Sequence, residues 1–203
     1  MGKAIKIGLK ENLWKRSDLV LSTKLFFGAM PPKDSAKYVE HAKRENRIGL
    51  SRKHIIEGMK DSLERMDLEY CDLVFCHRFD PICNMEEVVR SFNFLIDQGL
   101  CFYWGTSEWT AQEIQEAKTI AAKLNLIGPC MEQPQYNLMH REKVEVEFNR
   151  LYPDLGLTIW SPLAYGIVSF YESLLFLVNW KVQRWCSSRL TTCSRILQRN
   201  KRR

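Results

Sequence analysis

The stretch "CDLVFCHRFD", Cys71–Asp80, decides how this chain folds. Its apolar run holds Leu73, Val74, Phe75 and Cys76 with no polar alternation, which reads as a short strand covered on both faces. The run ends on His77 and Arg78, two groups that prefer water. A covered strand that finishes in polar groups must finish at an opening. In parallel α/β folds that opening is the C-terminal edge of the sheet, where ligands bind. His77 is therefore either a packed histidine bonded to a backbone carbonyl or a group aimed into a substrate cavity.

Four more runs of the same kind flank this one. They are "LVLST" (Leu19–Thr23), "CFYWG" (Cys101–Gly105), "PCMEQ" (Pro129–Gln133) and "LTIWS" (Leu157–Ser161). From Cys71 onward the runs start about 28 residues apart, the length of one βα unit. Helical patterns fill the intervals. Ser51 precedes Ile55, Ile56, Met59, Leu63 and Met66, and Asn84 precedes Val88, Val89, Phe92, Leu95 and Ile96, with Gly99 past the end. Thr110 and Glu113 form a capping box ahead of Ile114, Ala117, Ala121 and Leu124. A last helix is expected over Arg141–Tyr152, and a first one over Ala4, Ile5, Leu9, Leu13 and Trp14.

Covered strands alternating with helices imply a parallel sheet: a (β/α)8 TIM barrel or an open doubly wound sheet. No Gly-x-Gly-x-x-Gly follows a strand, which disfavours the dinucleotide-binding open sheet. The expectation is an incomplete barrel, about strands 3–7 of eight, because a whole one takes roughly 250 residues.

Composition narrows the function classes. The chain has 203 residues, 45% of them hydrophobic, enough for a packed core. Seven cysteines, an odd number with no Cys-x-x-Cys, speak against a secreted disulfide framework and against zinc; no metal is expected. No secretory leader is evident at the start, so a cytoplasmic setting is expected. Of the 30 basic and 24 acidic residues, eight basic and one acidic lie from Tyr171 onward, leaving 22 and 23 before it. The positive charge thus belongs to the tail, and two segments are expected: 1–169, a partial barrel, and 170–203, a basic tail that is no domain. The tail lacks any nucleic-acid-binding motif, so no nucleic acid is expected. It reads as a membrane-surface amphipathic element or, preferred, as the product of a shifted or unspliced reading frame. The charged loop from Gly28 to Gly49 leaves the C-terminal edge of the sheet and reads equally as a substrate lid or a solvated insertion.

Five segments together carry a resemblance: "SDLVLSTKLFFG", "GLSRKHIIEGMKDSLERMDLEYCDLVFCHRFDP", "YWGTSEW", "EQPQYNLMHREKVEVEF" and "WSPLAYGIVS". From about Gly2 to Ser169 the chain resembles the aldo-keto reductase superfamily, in the branch of the voltage-gated potassium channel β-subunits and their relatives. The resemblance implies a TIM barrel that reduces aldehydes or ketones with NADP(H), using an Asp, Tyr, Lys and His tetrad. A lysine ammonium beside the tyrosine favours phenolate and brings that acid nearer to working pH. Lys24 matches the family lysine and His77 the family histidine. Ser107 and Gln133 match the residues that bond the nicotinamide carboxamide, and Trp160 the aromatic that stacks on its ring. Ser161, Pro162, Leu163 and Gly166 match the loop along the pyrophosphate. Glu108 stands where the channel subunits often carry Arg, which leaves it outside the cofactor set.

The pattern is incomplete at both ends. The tetrad Asp and Tyr have no match, and neither Tyr38 nor Tyr103 stands in the right place to replace the tyrosine. The family's "GIVSGKY" becomes "GIVSFYE" at Phe170. The expectation is an NADP(H)-dependent reductase sequence that is inactive as a fragment, with a small carbonyl compound as the family substrate. The alternatives are a non-catalytic channel β-subunit-like regulator, homo-oligomeric and partnered with a membrane channel, and a degenerate gene product. His77 stands where the channel subunits usually carry Asn, which favours the enzyme-like relatives.

Overall fold

The structure, a computed structural model, describes residues 1–28 and 48–168. Residues 29–47 of the expected lid and the basic tail from Phe170 fall outside the described residues. The described residues form two compact units: one of 1–28, 48–136 and 140–160, the other of 137–139 and 161–168.

The first unit is built on five parallel strands: β1 (Ser22–Leu25), β2 (Leu73–Cys76), β3 (Tyr103–Thr106), β4 (Met131–Glu132) and β5 (Gly156–Leu157). Their order in the sheet is β1-β2-β3-β4-β5. A doubly wound sheet reverses its strand order at a switch point; this one never does. Right-handed crossovers between sequential neighbours put every helix on the same face, which is barrel topology. The connecting helices are α2 (Arg52–Met66), α3 (Met85–Asp97) and α4 (Ala111–Lys123), while α1 (Gly2–Lys10) precedes the sheet.

The caps read from the sequence are in place. Ser51 accepts from the His54 amide, Asn84 from the Glu86 amide at 2.8 Å, and the Thr110–Glu113 box is closed in both directions. Each supplies an acceptor to amides that the first helical turn leaves unpaired. Gly99, past the end of α3, takes φ 68°, where a glycine carries no Cβ penalty.

Alternation along the strands defines two faces. Leu25, Val74, Cys76, Trp104, Thr106 and Glu132 are buried toward the helices. Trp104, fully buried, stacks on Phe92 of α3 at 4.8 Å and donates its indole N–H to the Ile127 carbonyl at 2.8 Å. Gly105 lets β3 approach β4: a Cβ there would lie 2.6 Å from the Met131 carbonyl oxygen.

β3 and β4 are shifted or shortened against the runs Cys101–Gly105 and Pro129–Gln133, and four further boundaries differ for a visible reason. β1 begins at Ser22, not Leu19, because side chains hold the backbone before it: Arg16 donates to the Leu19 carbonyl and Asp72 accepts from the Leu21 amide at 2.7 Å. β5 stops at Leu157, and Trp160 returns only as an isolated bridge to Gln135. Pro134, two residues past β4, has no N–H to continue the ladder. The expected helix over Arg141–Tyr152 is α5 (Glu142–Glu145) followed by a 3-10 turn (Glu147–Leu151), broken at Val146. There Glu147 turns to accept from the Ala111 amide of α4 at 2.7 Å. Finally, α1 ends at Lys10, and Trp14 folds back against Gly8 instead of extending the helix.

Candidate active site

Side-chain parity sets the site. Register pairs Lys24 with Phe75, Phe75 with Gly105, and Thr106 with Glu132. Residues two apart on a strand share a face. Lys24, His77, Ser107 and Gln133 therefore lie on the face opposite the helices, at the C-terminal edge of the sheet. Lys24 sits within β1, one residue before its end, while His77 and Ser107 directly follow β2 and β3.

Contacts tie this face together. The Lys24 ammonium donates to Gln133 Oε1, and Gln133 Nε2 donates to Thr158 Oγ1 at 3.0 Å. Ser107 Oγ donates to the Gln133 carbonyl at 2.9 Å, and the Ser107 amide to the Cys76 carbonyl at 2.9 Å. The His77 ring meets Phe27 edge-on at 5.1 Å, and its carbonyl accepts from Arg78 at 2.6 Å. The polar pair that ends β2 is thus half-buried, neither core nor free surface.

Burial and charge tune these groups. Burial, then the nearby Lys24 and Arg78 cations, holds the His77 imidazole down to about 4, so it is neutral near pH 7. Burial and Arg78 lower the Lys24 ammonium as well, against the opposing pull of Glu132. A lysine, an arginine and a neutral imidazole at one sheet edge can stabilise negative charge developing on an oxygen and donate a hydrogen bond to it.

Two contributors escaped the sequence reading. Glu132 is fully buried, accepts from Thr106 Oγ1 and from the Glu108 amide, and is pushed by burial up to about 7. Its signal was a lone carboxylate inside the apolar run "PCMEQ". Thr158, which holds the Gln133 amide, carried no signal.

Trp160 is half-buried, and its indole N–H donates to Glu108 Oε1 at 2.7 Å. Ser161, Pro162, Leu163 and Gly166 belong to the second unit. There Ser161, Ala164, Tyr165 and Gly166 all take positive φ, and the Ser161 carbonyl accepts from Asn137 Nδ2 at 2.9 Å and from the Ala164 amide at 3.1 Å. The result is a tight turn that leaves Leu163 and Tyr165 exposed. No group of three metal-ligating side chains occurs among the described residues, and no helix among them is long and apolar enough to cross a membrane.

The donor set suits a carboxamide. Ser107 Oγ keeps acceptor capacity, and Gln133 keeps one amide hydrogen and one lone pair beyond the bonds described. A carboxamide offers the complementary N–H and carbonyl.

A row of sequential βα units with polar side chains gathered at its C-terminal edge is the signature of a barrel enzyme scaffold. The sequence profile of the aldo/keto reductase family matches residues 2–176, and the chain belongs to that family. Within it the chain falls in the potassium channel β-subunit-like branch. It is 52% identical over 158 residues to a rice (Oryza sativa subsp. japonica) protein described as a probable voltage-gated potassium channel subunit beta, covering 77% of this chain and 44% of that one. To a protein of Arabidopsis thaliana with the same description it is 50% identical over 171 residues, covering 83% of this chain and 47% of that one. The chain therefore spans less than half the length of either relative.

Proposed function

We propose that this chain carries part of the site of an NADP(H)-dependent carbonyl reductase. The observation that supports it is the Lys24–Gln133 hydrogen bond, which joins the matched catalytic lysine to the matched carboxamide-binding glutamine on one face. In this reading Ser107 and Gln133 bind the carboxamide, Trp160 stacks on the ring, and Ser161, Pro162, Leu163 and Gly166 line the pyrophosphate. His77 donates to the substrate carbonyl oxygen, and Lys24 lends positive charge beside it. A bound NADPH supplies the hydride. The substrate is a small aldehyde or ketone.

The 203-residue chain alone reduces no carbonyl compound in this reading, because no tyrosine matches the family proton donor. Residues 1–169 act as the partial barrel, with 170–203 outside it. The five cysteines among the described residues are unpaired, which supports a reducing, cytoplasmic setting.

Titration of the purified chain with NADPH, followed by quenching of tryptophan fluorescence, tests the reading. Saturable quenching that NADH does not reproduce is the expected result. No quenching by a cooperatively folded chain would overturn it, and turnover of an aldehyde would overturn the claim of inactivity.

The descriptions of the two plant relatives favour a second reading, a homo-oligomeric regulatory subunit of a membrane channel. Co-purification with a potassium channel from plant membranes would support it; a monomer that captures none would not.

A further inference from the structure

Glu108 follows β3 by two residues and holds φ at 63°, in the left-handed region that a side chain rarely adopts. Such a conformation persists only where the surroundings fix it. Here the fixing contacts are three donors on one carboxylate. Oε1 accepts from the Gln135 amide and from the Trp160 indole N–H at 2.7 Å, and Oε2 accepts from the Lys143 ammonium at 3.2 Å. The Glu108 amide itself donates to the buried Glu132, so backbone and side chain are both anchored. Burial pushes the carboxyl up, but the Gln135, Trp160 and Lys143 contacts outweigh it, and the group stays anionic. Glu108 thus joins the loop after β3, the loop after β4, α5 and Trp160, three residues beyond β5.

Trp160 needs such a partner. Its only ladder contact is the isolated bridge to Gln135, so the backbone around it lacks the support of a continuing strand. An indole swings about two side-chain torsions, and a bond at its far nitrogen fixes both. We propose that Glu108 is a positioning residue that sets the plane of the Trp160 indole, and so the face offered to a planar aromatic ligand of the nicotinamide class. The ligand class rests on the reading of Trp160 given above; the clamp itself does not. Glu108 does this without presenting free negative charge to an anionic ligand, because Lys143 is its counter-ion and both are about a quarter exposed.

The test uses the full chain. Comparison with W160F assigns the Trp160 indole signal in ¹H–¹⁵N spectra. The wild-type indole proton should be protected from exchange, and free exchange would overturn the proposal even if no variant folds. In E108A the signal should lose protection, and the dissociation constant for NADPH should rise about tenfold, as for loss of one hydrogen bond to a charged group. E108Q, which keeps an acceptor oxygen, should recover most of both. Introducing E108A into W160F should leave the NADPH affinity unchanged, since the route runs through the indole. Additive effects of E108A and W160F would overturn the proposal. If the wild-type chain binds no NADPH, the functional reading fails, and the indole exchange still decides the clamp.

Discussion

The Lys24 ammonium reaches Gln133 Oε1 although β2 and β3 lie between their strands. Neighbouring strands are about 4.8 Å apart, so β1 and β4 would stand roughly 14 Å apart in a flat sheet. Two side chains meet across that span only where the sheet curls toward the face they share. The bond therefore records the curvature of the sheet as well as the composition of the site.

The same lysine adds to the depression of the His77 imidazole that burial begins. The imidazole is held to about 4, first by burial and then by the Lys24 and Arg78 charges. Lys24→Met should raise it, yet leave it below the ordinary 6.5, because burial remains. Titration of the His77 ring by NMR measures this; an unchanged value would show that Lys24 does not face His77.

Glu132 makes stability depend on pH. Its folded pKa is raised to about 7 from an ordinary 4.5, with burial the main cause. The neutral carboxyl is the form the fold favours. Its contribution is therefore complete below about pH 4.5 and is lost as pH rises through about 7. Glu132→Gln mimics the neutral form. The stability of E132Q minus that of wild type should grow between those limits to a plateau on the order of 3 kcal/mol. Urea melts at several pH values give the difference, in which the other titrating groups cancel. A flat difference would mean the carboxylate is ionised in both states.

Gly105 is required by the spacing of β3 and β4. A Cβ there would sit 2.5 Å from Met131 Cγ and 2.6 Å from the Met131 carbonyl oxygen, and the second of these cannot swing away. Gly105→Ala should destabilise the chain by about 1–3 kcal/mol. The shift in urea midpoint at constant slope reads it.

The capping box of α4 should behave as a unit. Thr110→Ala removes an acceptor from the Glu113 amide and should cost about 1 kcal/mol. Adding Glu113→Ala should then cost less than it does alone, since the two bonds are reciprocal. A double-mutant cycle by urea denaturation checks the coupling.

How much of this was written in the sequence depends on whether the signal is local. Ser51, Asn84 and Thr110 act within three residues of themselves, and each was legible. Existence and type of the five strands followed from their apolar runs. Strand limits did not, because they depend on distant partners: Asp72 holds the backbone before β1, and Pro134 interrupts the ladder beside β5. The helix after Arg141 read as continuous from Val144, Phe148 and Leu151, but Glu147 breaks it by reaching α4. In the site, residue types at strand ends marked Lys24, His77, Ser107 and Gln133. Glu132 and Thr158 stayed hidden because a buried carboxylate and a threonine reveal their roles only through partners on other strands.

Every ladder in the sheet joins strands that are consecutive in the chain. Each βα unit can therefore dock on the one synthesised just before it, with no wait for a remote segment to emerge. Assembly in the order of translation closes one βα unit at a time, so the entropic cost of each step is that of a single crossover. A row of this kind also grows or shrinks at its margins without rethreading the units already paired.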